Sequence, residues 1–177
     1  METADKPNSP EQTPVKESYD INACFDNIDG LSIDFKGKTI LELGSGRGFH
    51  TEFLLKKQPK MIVAVEDYNV NYDFLMDKFK NIKEVVPVYY DLEIRIPRLE
   101  KHYDWIYSYG LLNSIKDPIQ FIRNIKSIPH DNMLLGVDTT FLIDLRDILD
   151  ELNKIYKEKE TIQVNNNHTL ILCTKKK

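Results

Sequence analysis

TILELGSGRGFHT, residues Thr39 to Thr51, decides the fold of this chain. Ile40, Leu41 and Leu43 make a short apolar run that carries one acid, Glu42, and breaks into glycines at alternate positions, Gly44, Gly46 and Gly48. Phe49, Phe53 and Leu54 then recur at helical spacing, so the pattern predicts a buried strand, a tight turn and a helix from Phe49 to Lys57. Glycine suits such a turn because it takes positive φ without strain. It also lets a ligand lie against the unpaired N–H groups of a helix start. A dinucleotide fingerprint would need GxGxxG, yet its third place is Phe49 and Gly48 falls one residue early, which weakens a nicotinamide reading.

The stretches downstream repeat a strand-then-helix order. MIVAVE, Met61 to Glu66, is a continuous apolar run ending in two acids, Glu66 and Asp67, as expected of a strand buried on both faces. In open α/β sheets ligands bind outside such carboxyl ends, and an acid about twenty residues after a glycine turn suits the two hydroxyls of a ribose. Glu66 is the first choice for that role and Asp67 the second. Asn71 to Lys80 predicts a helix, Val85 to Tyr90 a third strand ending at Asp91, and Tyr103 to Ser108, YDWIYS, a fourth. Asp117 and Pro118 read as the cap and first turn of a helix that stops before Pro129. Pro129, His130, Asp131 and Asn132 predict a turn, followed by a fifth strand from Met133 to Val137 that reaches Asp138, Thr139 and Thr140. Leu142 to Tyr156 is amphipathic at helical period. Thr161 to Val164 and Thr169 to Cys173 predict a hairpin turned by Asn165, Asn166 and Asn167.

Glu42, Gly44, Gly46 and Gly48, spaced E-x-G-x-G-x-G, resemble the first motif of class I S-adenosylmethionine (SAM)-dependent methyltransferases, and YDWIYS with the later Asp117-Pro118 resembles their fourth-strand signature. The resemblance runs from about Lys38 to Thr174. It implies a Rossmann-like α/β fold: a doubly wound, mostly parallel sheet with an antiparallel last strand, in three α/β/α layers. It also implies SAM as cofactor, held by Glu42, Gly44, Ser45, Gly46 and Gly48, by Glu66 and Asp67, by Asp91 and Leu92 at the adenine, and by Tyr107 and Ser108. The chain departs from the pattern in two places. Ser114, preceded by Asn113, stands where many small-molecule members carry a histidine, and the usual Pro-Gly-Gly turn is missing.

Composition narrows the class. The 177 residues fit one domain, expected to span 19–177 behind a disordered tail, 1–18, that is rich in Pro, Glu, Thr and Lys. Net charge is −4 and the pI about 5.6, with no basic stripe except Lys175 to Lys177, which disfavours a nucleic-acid partner. The tail lacks the hydrophobic stretch that a signal peptide or membrane span would need. Cys24 and Cys173 make no metal-ligand or CxxC spacing, so they read as reduced thiols of a cytoplasmic protein. Neither an Asn-Pro-Pro-Tyr motif, a catechol-type magnesium site nor a Lys-Asp-Lys-Glu tetrad is present, and no metal is expected.

The function that follows is methyl transfer from SAM to a small-molecule acceptor, such as a sugar or secondary metabolite. The alternative is a catalytically silent methyltransferase-like binding or scaffold subunit; a protein partner or homo-oligomer stays open. Asp138, His50 and Tyr109 are the candidates for catalysis. Asp138 is either a general base or a solvated acid at a strand end, Tyr109 either lines the acceptor pocket or is an ordinary amphipathic side chain, and His50 either serves the site or lies on the surface. His102, His130 and His168 read as surface groups in turns or at strand starts.

Overall fold

The computed structural model describes residues 21–139 and 144–175. The expected tail, Tyr19, Thr140, the predicted helix start at Leu142, and the last two lysines lie outside the described residues. In chain order the elements are α1 (Ile21–Gly30), β1 (Thr39–Leu43), α2 (Phe49–Lys56), β2 (Met61–Glu66), α3 (Asn69–Phe79), β3 (Val85–Tyr89), β4 (Tyr103–Tyr109), a single 3₁₀ turn (Leu111–Asn113), α4 (Pro118–Ile125), β5 (His130–Asp138), α5 (Leu145–Asn153), β6 (Glu158–Gln163) and β7 (His168–Thr174).

The seven strands form one sheet in the order β3-β2-β1-β4-β5-β7-β6, with β7 antiparallel to both neighbours and the other strands parallel. This is the expected doubly wound topology. Its central strands are buried on both faces, and two apolar clusters cover the two sides of the sheet: one around Leu43, Ile106, Phe121 and Leu152, the other around Ile40, Leu54, Leu75 and Trp105. Register brings Leu43 beside Val65 on one side and Ser108 on the other, so β1, β2 and β4 end level with one another. The turn after β1 therefore opens at the centre of the carboxyl edge.

Two expectations about elements need correction. Strands do not alternate strictly with helices, because residues 90–102 connect β3 to β4 without one. Pro97 removes a donor and disfavours helical backbone at Ile96, which suits an irregular connection. His130 to Asn132 are also not a turn but the first residues of β5, paired with β4 through Tyr103↔His130 and Trp105↔Asn132. Their polar side chains are compatible with a strand because each finds a partner, such as the Asp104 carbonyl for Asn132 Nδ2 at 3.2 Å.

Candidate functional site

The turn after β1 is fastened to the end of β2. The Gly44 and Ser45 N–H groups both donate to the Val65 carbonyl at 3.0 Å, and the Ser45 hydroxyl donates to the same oxygen at 3.2 Å. All three glycines have positive φ, but they do different work. A Cβ on Gly48 would stand 2.6 Å from the Phe79 ring and one on Gly44 2.9 Å from Leu111, so these two permit close packing. A Cβ on Gly46 would meet nothing within 4 Å. Gly46 alone of the three faces open space, where a ligand could lie on the backbone.

Glu66 closes the turn from the β2 side. One of its oxygens accepts the Gly46 N–H at 2.6 Å and the other the Tyr68 N–H at 3.0 Å, and the side chain is 5 % exposed. A carboxylate so held keeps lone pairs for further donors. Beneath it lies Glu42, fully buried, which accepts the Thr51 hydroxyl at 2.7 Å through Oε2 while Oε1 has no hydrogen-bond partner. Burial pushes the Glu42 carboxyl up to about 8, against the Thr51 bond, and the charge of Glu66 adds to the rise. Asp67 is raised by burial first and by Glu66 second. An orphaned buried oxygen, a held carboxylate and an open glycine backbone fit a cofactor carrying a ribose and an ammonium group.

The two residues expected at the adenine, Asp91 and Leu92, differ in exposure. Asp91 is exposed at the end of β3 and accepts the Glu93 N–H at 2.9 Å. Leu92, in contrast, is 1 % exposed within the core, so its side chain is covered by protein and not open to a ligand. The Tyr107 and Ser108 side chains are buried in the same way, with the Ser108 hydroxyl donating to the Leu43 carbonyl at 3.2 Å.

The three catalytic candidates meet at one end of the sheet. His50, at the start of α2, bonds through Nδ1 to the Tyr107 hydroxyl at 2.5 Å, stacks on Tyr109 with centroids 4.7 Å apart, and meets Phe25 of α1 edge-on at 5.1 Å. It is half-buried among these rings. Burial holds its imidazole down to about 4, so it is neutral at physiological pH. Tyr109 lies flat on Gly136, where a Cβ would come within 2.1 Å of the ring. Its other neighbour is His168, parallel at 6.4 Å, whose Nε2 stands 3.6 Å from Asp138 and whose register partner is that same residue.

His168 is the residue that sequence reasoning missed. The alternation of β7 was the available signal, since it sets which side chains face inward, but a histidine after three asparagines reads as a loop. His130 is likewise buried rather than on the surface: its ring bonds to the Ile128 carbonyl at 2.6 Å and the Tyr156 hydroxyl at 2.5 Å. Both ring nitrogens are thus engaged in packing the core, away from the glycine turn.

Comparison with known proteins meets this geometry. A family model described as a methyltransferase domain matches residues 17–168. The chain belongs to this methyltransferase family. Among solved structures, a SAM-dependent methyltransferase from Aquifex aeolicus superposes with a TM-score of 0.71 at 14 % identity, over 84 % of this chain and 88 % of that one. A TehB-like SAM-dependent methyltransferase from Corynebacterium glutamicum gives 0.69 at 20 % identity, over 90 % of each chain. Fibrillarin from Aeropyrum pernix, solved with natively bound SAM, gives 0.67 at 17 % identity, over 86 % of this chain and 74 % of that one. The expected fold, enzyme class and cofactor are upheld: a methyltransferase domain on a SAM-type Rossmann-like sheet.

Curated relatives of the methyltransferase include the tRNA U34 carboxymethyltransferases of Campylobacter lari, 24 % identical over 71 % of this chain and 43 % of that one, and of Idiomarina loihiensis, 25 % identical over 60 % and 34 %. The chain spans less than half the length of these relatives. Their name overturns the expectation that disfavoured a nucleic-acid partner. That expectation rested on net charge and on the absence of a basic stripe along any one stretch of sequence, whereas basic residues that contact RNA can be brought together from separate stretches by the fold. Among the described residues no helix is long and apolar enough to cross a membrane.

Proposed function

We propose that this chain is an active SAM-dependent methyltransferase whose acceptor enters where β4, β5 and β7 meet. The observation that carries the reading is the Glu66 carboxylate, fixed by the Gly46 and Tyr68 N–H groups beside the one glycine that faces open space. Glu66 would take the ribose hydroxyls, with Asp67 next to it, and Glu42, buried behind the turn and bonded to Thr51, would support the end of the site that takes the ammonium group. When bound, SAM supplies a methyl carbon already activated by its sulfonium. The protein then has to align, exclude water and, for a weak nucleophile, accept a proton.

His50, Tyr109, His168 and Asp138 are the groups placed to orient an acceptor, and Asp138 or neutral His50 to accept its proton. A compact mouth of rings with one carboxylate supports a small polar acceptor, such as a sugar or secondary metabolite. A second reading, a uridine of RNA, is favoured by the relatives named for tRNA U34, whose transferred group is carboxymethyl. Calorimetric titration with SAM, its demethylated product S-adenosylhomocysteine, and NAD tests the cradle: saturable binding of the first two and none of NAD is expected. Isotope from methyl-labelled SAM is then followed into small-molecule and RNA fractions. Label in neither fraction, with SAM bound, would favour the silent scaffold.

A further inference from the structure

The connection between β3 and β4 carries the basic residues that the fold's usual motifs leave unexplained. Leu92 and Ile96 anchor it in the core, while Arg95 and Arg98 stay exposed on either side of Pro97. Between this connection and the end of α4 is a cavity of about 490 Å³, lined by both arginines together with Tyr90, Pro97, Asn124 and Ser127. Among the described residues no carboxylate lines it.

Both guanidiniums are held by neutral groups. Arg95 Nε donates to the Tyr90 hydroxyl, with the guanidinium 5.8 Å from that ring's centroid, and Arg98 donates to the Ser127 carbonyl. Among the described residues neither pairs with an acid, whereas Arg123 pairs with Glu151 and Arg146 with Asp144. Glu93, on the same connection, is turned away to the Lys116 N–H at 2.9 Å. A guanidinium has five N–H donors, so one bond to a neutral partner orients it and leaves a fork for an anion. Two such forks thus line one cavity that has no carboxylate among its described lining residues, while along the connection Asp91, Glu93 and Glu100 balance Arg95, Arg98 and Lys101.

We propose that this cavity binds a phosphate group between Arg95 and Arg98. Two sources share that chemistry, the phosphodiester backbone of single-stranded RNA and the phosphate of a small ligand. None of the lining residues belongs to the glycine turn, so the test stands apart from the SAM titration.

The test is fluorescence anisotropy of the full chain with a short labelled oligouridylate, with uridine monophosphate and inorganic phosphate as competitors. Replacing both arginines (Arg95→Gln with Arg98→Gln) is expected to weaken binding at least about tenfold and to lower the salt slope by roughly one unit. Arg146→Gln should leave binding unchanged. The paired Arg95→Lys and Arg98→Lys variant keeps charge without the planar fork and should fall between; it carries the comparison if the glutamine pair does not fold. An unchanged SAM titration in these variants separates this site from the cradle. Oligouridylate displaced by phosphate assigns the RNA backbone, and a rise in Tm with phosphate or uridine monophosphate in a thermal shift, with no change in oligouridylate anisotropy, assigns a small ligand. Failure of every probe to bind the wild-type chain, or equal binding by the glutamine pair, would overturn the proposal.

Discussion

Glu66 is fixed by N–H groups from the loops on either side of it, and that arrangement makes two substitutions informative at the scale of single residues. Glu66→Ala removes the carboxylate expected at the ribose, and Gly46→Val puts a branched side chain at φ 54°, in the space the ligand needs. Both are expected to abolish SAM binding in calorimetry while the domain stays folded, with Tm lowered by only a few degrees. Wild-type affinity in either would show that the cradle lies elsewhere. Gly136→Ala tests the acceptor mouth, because the added methyl would overlap the Tyr109 ring that stacks on His50. It should cost about 1–3 kcal/mol in thermal or urea unfolding and reduce turnover more than SAM affinity. Gly46 stood out in the sequence as one of three alternating glycines. That Gly44 and Gly48 answer to Leu111 and Phe79 was not legible there, because those neighbours lie far along the chain.

The elements were read wherever a local signal agreed with the packing. Asp117 caps α4 by accepting the Gln120 N–H at 2.8 Å, and Pro118 follows in the first turn. Asp117→Ala should therefore lower stability by about 1 kcal/mol, measured by urea denaturation, with no change in SAM affinity. The hairpin turn was legible for the same reason: Asn165 Oδ1 accepts the Asn167 and His168 N–H groups at 2.9 Å each. Where pairing overrode local preference the reading failed. His130, Asp131 and Asn132 have turn-like side chains, yet β4 draws His130 and Asn132 into its ladder, since unpaired backbone at the centre of a sheet would be costly.

For the molecule as a whole, the buried Glu42 and His130 and the half-buried His50 shape stability against pH. Burial holds His50 and His130 down to about 4, so between there and 6.5 the unfolded chain binds protons the native one does not, and stability rises with pH. Glu42, pushed up to about 8, acts oppositely: above about 4.5 the unfolded chain releases a proton that the native one keeps, and stability falls until pH 8. Two imidazoles outweigh one carboxyl up to about pH 6.5, and beyond it the carboxyl acts alone. Maximum stability is therefore expected near pH 6.5, in urea unfolding across pH, and Glu42→Gln should flatten the alkaline arm; a wild-type maximum above pH 8 would contradict the burial of Glu42. The sequence by itself determined where the strands fall along the chain, the glycine turn and the acid at the end of β2, because hydrophobic period and glycine spacing are local and survive without coordinates; the order of the strands in the sheet was implied only by the family resemblance. Only the tertiary structure decided that Leu92 is covered, that His168 joins Tyr109 and Asp138, and that Arg95 and Arg98 share a cavity. Those facts depend on which distant segments the sheet brings side by side, and a one-dimensional pattern does not carry that.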